Sequence, residues 1–255
     1  MSQSIELDGF SRTFDSATGP VQAVAPTDLR VEPGSFVALV GPSGCGKSTI
    51  LRAIAGLDRE YEGNVLVEGR PVNGPSVTRG IAFQEHRLFP WLTVEENIAL
   101  GLQTTKLERK RRVKDLLDLV GLTRFASSYP RELSGGMAQR TAIARALAPS
   151  PEVLLLDEPF GALDAFTRLQ LQDALQEIWQ RERVTALLVT HDIEEAVTLA
   201  QRVVVLRARP GTISDVIDVD LSYPRDRSDP RLDARRRQLL AHFGLVGPGR
   251  QAANG

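Results

Sequence analysis

Short, unbroken apolar runs at residues 35–40, 153–156 and 185–190 punctuate the chain. They are rich in Val and Leu, too short for helices and bounded by turn or polar residues, which predicts strands buried on both faces. Each is followed by three-to-four-residue apolar spacing, over residues 47–54, 164–179 and 193–200, predicting a helix after each strand. That alternation predicts an α/β core built on a mostly parallel sheet. Residues 5–10, 29–31 and 64–68 alternate instead, the last before a turn at Gly69, and predict a second, antiparallel sheet. Between residues 92 and 148 the spacing is helical, in segments 94–102, 107–120 and 136–147. Residues 232–243 predict one further helix, and the Gly- and Pro-containing end, 247–255, predicts disorder. The organisation expected is a core of residues 1–91 and 149–221 that carries the antiparallel β subdomain, a helical insertion at 92–148, and a C-terminal helix and tail at 222–255.

Composition narrows this little. The 255 residues suit one large domain or a domain with a modest insertion, and 42% hydrophobic with 25% charged residues suits a globular core. Basic and acidic side chains, 31 and 32, leave a formal charge of -1, so no long-range attraction draws the chain to nucleic acid or an anionic membrane. The single cysteine, Cys45, forms no intrachain disulfide and suits a reducing compartment. The N-terminus lacks the basic start and apolar run of a signal peptide, and no apolar run approaches the roughly 20 residues of a bilayer span.

The chemistry starts after the first strand. Gly41, Pro42, Ser43, Gly44, Cys45, Gly46, Lys47 and Ser48 fit the phosphate-loop pattern G-x-x-x-x-G-K-[ST], between a predicted strand and a predicted helix that continues through Thr49. The glycines let backbone N–H groups converge on phosphate oxygens at a helix N-terminus. Lys47 adds a point charge for the β- and γ-phosphates, and the Ser48 hydroxyl is placed for Mg²⁺. The expected ligands are therefore ATP and Mg²⁺. Farther on, Asp157 and Glu158 close a buried strand. Asp157 is expected to reach Mg²⁺, directly or through water, and Glu158 to polarise the water that attacks the γ-phosphate.

Leu133-Ser-Gly-Gly-Met-Ala-Gln-Arg follows the helical segments and precedes this acid pair. With it, the sequence resembles the ATP-binding subunits of ABC transporters from Ile5 to about Phe243. The resemblance implies a P-loop NTPase (RecA-like) core and a homodimer in which Ser134, Gly135 and Gly136 cap the ATP held by the partner's phosphate loop. Met137 stands in the last place of the usual LSGGQ. A serine and two glycines opening a helix suit an anion, although alone they read as an ordinary N-cap. The resemblance further implies that Gln84 touches Mg²⁺ or the attacking water and that Asp164, in Gly161-Ala-Leu-Asp164, lies along the dimer interface. It makes His191 the residue that contacts the γ-phosphate, and Phe14 the aromatic that stacks on adenine, with Phe10 its rival.

The segment Gln84-Glu-His-Arg-Leu-Phe-Pro-Trp resembles the nitrate, sulfonate and taurine importers in particular, with His86 departing from a common Pro. An importer motor works with membrane-embedded permease subunits and, indirectly, with an extracytoplasmic substrate-binding protein, on the cytoplasmic face of the inner membrane. The rival is a soluble ATPase of the same superfamily acting on nucleic acid or ribosomes. It would carry long coiled coils between Lys47 and Asp157, or two cassettes, and the sequence has neither. The 64 residues after His191 are too few for the extra barrel of sugar-importer motors. Cys45, at a helix N-terminus, is expected to be an alkylation target and not a nucleophile. The basic runs 109–112 and 235–237 read as solvated helix faces, and His86 and His242 lack partners at metal-ligand spacing.

Overall fold

The computed structural model describes residues 2–244 apart from 18 and 162. The expected disordered stretch, 247–255, lies outside the described residues. A long antiparallel hairpin, β1 (Ile5–Ser16) and β2 (Gly19–Val31), opens the chain. Then come β3 (Phe36–Val40), α1 (Lys47–Ala55), β4 (Glu62–Val67), β5 (Arg70–Pro71) and β6 (Arg79–Ala82). The helices α2 (Val94–Ala99), α3 (Lys106–Leu119) and α4 (Gly135–Leu147) follow. The chain continues through β7 (Val153–Asp157), α5 (Ala165–Glu182), β8 (Thr185–Thr190), α6 (Ile193–Leu199), β9 (Arg202–Arg207), β10 (Thr212–Asp218) and α7 (Pro230–His242).

Two sheets result. One is antiparallel, in the order β2-β1-β4-β5. The other has the order β10-β9-β3-β8-β7-β6 and is parallel except for β10 at its edge. The unbroken apolar strands make sense here, because both faces of the parallel sheet are covered. Alternate residues point into two separate cores. Phe36, Ala38, Val40, Leu154, Leu156, Ala186 and Leu188 join α4, α5 and α6 in one. Val37, Leu39, Val153, Leu155, Leu187 and Val189 join α1 and the antiparallel sheet in the other. The helices α1 and α4 therefore lie on opposite faces of the parallel sheet.

The structure extends the expected elements in three places. β9 is a four-residue apolar run between two arginines, Arg-Val-Val-Val-Leu-Arg, and pairs with β3 in parallel. β6 is short and contains Gly80, where any side chain would strike the Ala146 carbonyl of α4. The hairpin runs well past residue 10, but its outer half is exposed on both faces and so lacks the alternation that marks a half-buried strand. In the segment expected to form a helical insertion, α2 stops at Ala99, since Leu100 takes an extended conformation, and Gly101 after it is left-handed (φ 84°). The inner faces of α3 and α4 bury Leu116, Leu117, Ile143 and Leu147 in the same core as the sheet. Among the described residues, no helix is long and apolar enough to cross a membrane.

Candidate functional site

The chain leaves β3 at Val40 and turns through residues 41–46 into α1. Gly46 is the N-cap of α1 at φ 87°, with no side chain capping the helix, so the first-turn N–H groups have no side-chain competitor for an anion. A β-carbon at Gly41 would sit 2.6 Å from the Leu206 carbonyl, and one at Gly46 would strike Val24. At Gly44 (φ 78°) it would meet nothing within 4 Å. The loop is thus wedged from behind by β9 and the hairpin, with its outer side open. Gly211 completes the wedge, donating to the Ala23 carbonyl at 2.9 Å and accepting from Ala25 N at 2.9 Å.

Lys47 is 5% exposed and donates to the Gly41 carbonyl at 2.8 Å and the Pro42 carbonyl at 3.1 Å, which holds the ammonium inside the loop. Ser48 Oγ donates to Asp157 Oδ1 at 2.8 Å, which joins the loop to the end of β7. Burial pushes the Asp157 carboxyl up, and the Ser48 bond opposes this. Hydroxyl and carboxylate oxygens side by side are the hard donors that Mg²⁺ prefers, so the residues present fit that ion. Thr49 follows in the first turn of α1.

Glu158 has a left-handed backbone (φ 45°), an uncommon conformation for a non-glycine residue. Its N–H is held by the Val189 carbonyl at 2.9 Å, and its Oε2 lies 3.1 Å from His191 Nδ1. The β-carbon position of Gly161 is 3.9 Å from both Gln84 Nε2 and Glu158 Oε2. The structure thus gathers Gln84, Glu158, Gly161 and His191 around one point, beside the Ser48–Asp157 pair. All stand at the C-terminal ends of parallel strands, where ligands of open α/β sheets sit. A larger cleft, about 530 Å³ and lined by Ser2, Arg112, Glu152 and Glu182, is at the opposite ends of β7 and β8, away from this chemistry.

Other expected residues are placed elsewhere. Ser134 caps α4, accepting from Met137 N at 3.3 Å. A β-carbon at Gly135 would meet nothing, whereas one at Gly136 would sit 2.5 Å from Thr167 Cγ2. Gly136 is therefore required by the packing of α4 on α5, and Gly135 is the glycine with open space before it. Met137 packs against the core beneath. Asp164 caps α5 through Thr167 N at 3.0 Å, and this bond holds its carboxyl below the usual range. Phe10 is fully buried 5.3 Å from the Tyr61 ring, so it is a core residue. Phe14 is 39% exposed, and the Arg12 guanidinium lies 4.2 Å from its centroid.

Cys45 corrects an expectation. It is fully buried, packed in the α1 core with Lys47 Nζ 3.7 Å from its sulfur, so an alkylating reagent has no path to it. The basic runs lie on largely exposed helix faces, with a few local partners. Arg112 donates to the Leu147 carbonyl at 2.9 Å, and Arg236 and Arg237 both pair with Asp233. His242 pairs with Asp215 at 2.8 Å, and no metal-binding group of side chains exists among the described residues.

Sequence reading missed the grip of α4 on the segment around Gln84. Gln139 donates to the Phe83 carbonyl at 3.1 Å, and Arg145 to the Arg87 and His86 carbonyls at 2.8 and 3.0 Å. No local pattern marks these residues, because their partners are carbonyls more than 50 positions away.

Comparison with known proteins agrees with this geometry. The family model described as ABC transporter matches residues 24–161. The aliphatic sulfonates import ATP-binding protein SsuB of Bacillus cereus (strain ATCC 10987 / NRS 248) is 50% identical over 246 residues, covering 95% of this chain and 98% of that protein. SsuB of Bacillus subtilis (strain 168) is 54% identical over 216 residues, covering 85% of each. The dimeric ATP-binding cassette MJ0796, solved in a post-hydrolysis state with ADP and phosphate, superposes with a TM-score of 0.76 at 32% identity, covering 86% of this chain and all of that one. A phosphate loop wedged from behind, an acid pair at the next strand end and a histidine beside the second acid thus stand in a chain that belongs to the ABC transporter family, as an ATP-binding subunit that hydrolyses ATP.

Proposed function

We propose that this protein is the motor subunit of an importer for a small anion, an aliphatic sulfonate such as taurine or, failing that, nitrate. The likeness to SsuB supports the sulfonate. The working unit is a homodimer docked under permease subunits on the cytoplasmic face of the membrane, fed by an extracytoplasmic substrate-binding protein. The dimeric cassettes among its structural relatives support the pairing.

One observation carries the dimer. The phosphate loop opens α1 on one face of the parallel sheet, and Ser134 opens α4 on the other. Two helix N-termini that each suit an anion therefore belong to different faces, and a second copy supplies Ser134, Gly135 and Gly136 to the loop of the first. Within each site the loop N–H groups and Lys47 hold the phosphates, and Phe14 stacks on the base. Ser48 and Asp157, with Gln84, would hold Mg²⁺, which when bound would offset charge on the phosphate oxygens. Glu158 takes a proton from the attacking water, and His191, paired to Glu158, orients it and contacts the γ-phosphate. Asp164 lies along the interface. Arg145 and Gln139 link α4 to the Gln84 segment, so closure of the dimer moves that segment and the permease bound near it.

Two variants test this together. Glu158→Gln keeps the shape but not the base, and with ATP it accumulates as a species of doubled mass in size exclusion. Ser134→Arg leaves ATP affinity intact in calorimetry and stops hydrolysis. A monomeric, fully active Glu158→Gln refutes the base, and a fully active Ser134→Arg refutes the shared site.

A further inference from the structure

We propose that Arg168 and Glu195 are positioning residues for His191, tying it to the turn that ends at Asp164. The inference rests on the reading of His191 given above. His191 itself is more than half exposed and has one side-chain partner, Glu158, so something else sets its ring. Its backbone is held on both sides. Thr190, 1% exposed, donates its hydroxyl to Glu195 Oε2 at 2.6 Å, and Thr190 Oγ1 itself accepts from Asp192 N at 3.0 Å. The Glu195 carboxylate thus orients a hydroxyl whose lone pair then fixes the peptide between His191 and Asp192. Only an acceptor at Glu195 imposes that direction, because a hydroxyl rotates to suit its partners.

Asp192 is held in turn. Its carboxylate caps α6 through Glu194 N at 2.8 Å and Glu195 N at 3.3 Å, and it pairs with Arg168 Nη1 at 3.5 Å. Arg168, on the first turn of α5, also donates through Nη2 to the Leu163 carbonyl at 3.1 Å. Its Nε is buried with no hydrogen-bond partner and stands 4.0 Å from Glu195 Oε1. A buried, unpaired guanidinium nitrogen facing a buried carboxylate is costly unless the gap closes. Glu158, Gly161, Arg168, Thr190, His191, Asp192 and Glu195 line a single cavity of about 40 Å³, so the pieces share one space. A shift of Leu163, next to Asp164, therefore moves Arg168, and Arg168 moves both acids that hold the His191 turn.

The test compares Arg168→Met, Glu195→Leu and Glu195→Gln, with His191→Ala as reference. The first two lower kcat about tenfold with the KM for ATP within about twofold, the size of coupling seen within hydrogen-bonded networks. Glu195→Gln keeps an acceptor for Thr190 and stays within about threefold of the parent. In NMR spectra, where only three histidines contribute, the first two variants move the His191 ring signal and leave those of His86 and His242 in place. An unchanged kcat in Arg168→Met and Glu195→Leu overturns the proposal. So does a joint loss of kcat, ATP affinity and melting temperature with all three histidine signals displaced, which is what a general packing role produces. A fully active His191→Ala instead refutes the role of His191 itself, so the two failures are distinguishable.

Discussion

Adjacent glycines at the start of α4 offer a test in which stability and activity separate. Gly135 and Gly136 occupy the first two positions of the helix. Replacing glycine by alanine in a helix gains about 0.5–1 kcal/mol, by removing unfolded-chain entropy. At Gly135 a methyl meets nothing within 4 Å, so that gain is realised. At Gly136 the methyl lands 2.5 Å from Thr167 Cγ2, on the first turn of α5. Carbon atoms pack at roughly 3.5–4.0 Å, so α4 and α5 separate or Thr167 leaves its rotamer, at a cost of about 1–3 kcal/mol. Net, Gly135→Ala is more stable than the parent by up to about 1 kcal/mol and Gly136→Ala less stable by about 0–2.5 kcal/mol. For a chain of this size each kcal/mol moves the melting temperature by about 2–4 °C. Thr167→Ser removes the offending methyl while keeping the hydroxyl, and restores most of what Gly136→Ala loses. Thermal melts by circular dichroism measure all four proteins. In the shared-site reading, Gly135→Ala also slows hydrolysis despite its stability, since its methyl fills the space that faces the partner's ATP. A Gly136→Ala as stable as Gly135→Ala, or a Thr167→Ser background that leaves the Gly136→Ala loss unchanged, refutes the packing argument.

Phe14→Ala removes a stacking surface worth about 1–3 kcal/mol, so ATP binds about 5- to 150-fold more weakly in calorimetry, and an unchanged affinity refutes Phe14 as the stacking residue. Cys45 reacts with a maleimide only as the chain unfolds, so labelling tracks the denaturation curve; rapid labelling of the native protein refutes its burial. Burial pushes the Glu195 carboxyl up from 4.5 to about 7. The native state then keeps a proton that the unfolded chain has released between those values. This group's contribution to stability is full below about pH 4.5, falls by at most about 1.4 kcal/mol per pH unit up to about pH 7, and is level above. Urea melts of the parent and Glu195→Gln at about pH 5 and about pH 7.5 read that difference, and parallel pH dependences refute it.

The phosphate loop was legible because its chemistry is local: residues 41–48 make one turn, and strand, loop and helix announce it in order. The central strands β3, β7 and β8 were legible for a similar reason, since burial on both faces leaves an unbroken apolar run. β6 was not, because four residues around a glycine carry too little pattern and its place is set by α4 pressing on Gly80. The choice between Phe10 and Phe14 also needed the fold. Both are aromatic on one strand, and only packing against Tyr61 shows that Phe10 is spent on the core.

Cys45 shows the limit from the other side. Its position at a helix N-terminus suggests reactivity, and its burial beneath the loop removes access. By itself the sequence determined that this chain carries a nucleotide-binding loop and an acid pair at a later strand end, because motif spacing is a property of the chain. Only the tertiary structure decided that Gly136 is a packing residue and Gly135 an open one, that Arg145 and Gln139 hold the Gln84 segment, and that α1 and α4 lie on opposite faces of one sheet. Those facts depend on which surfaces meet, and contacts between residues far apart in sequence leave no local trace in it.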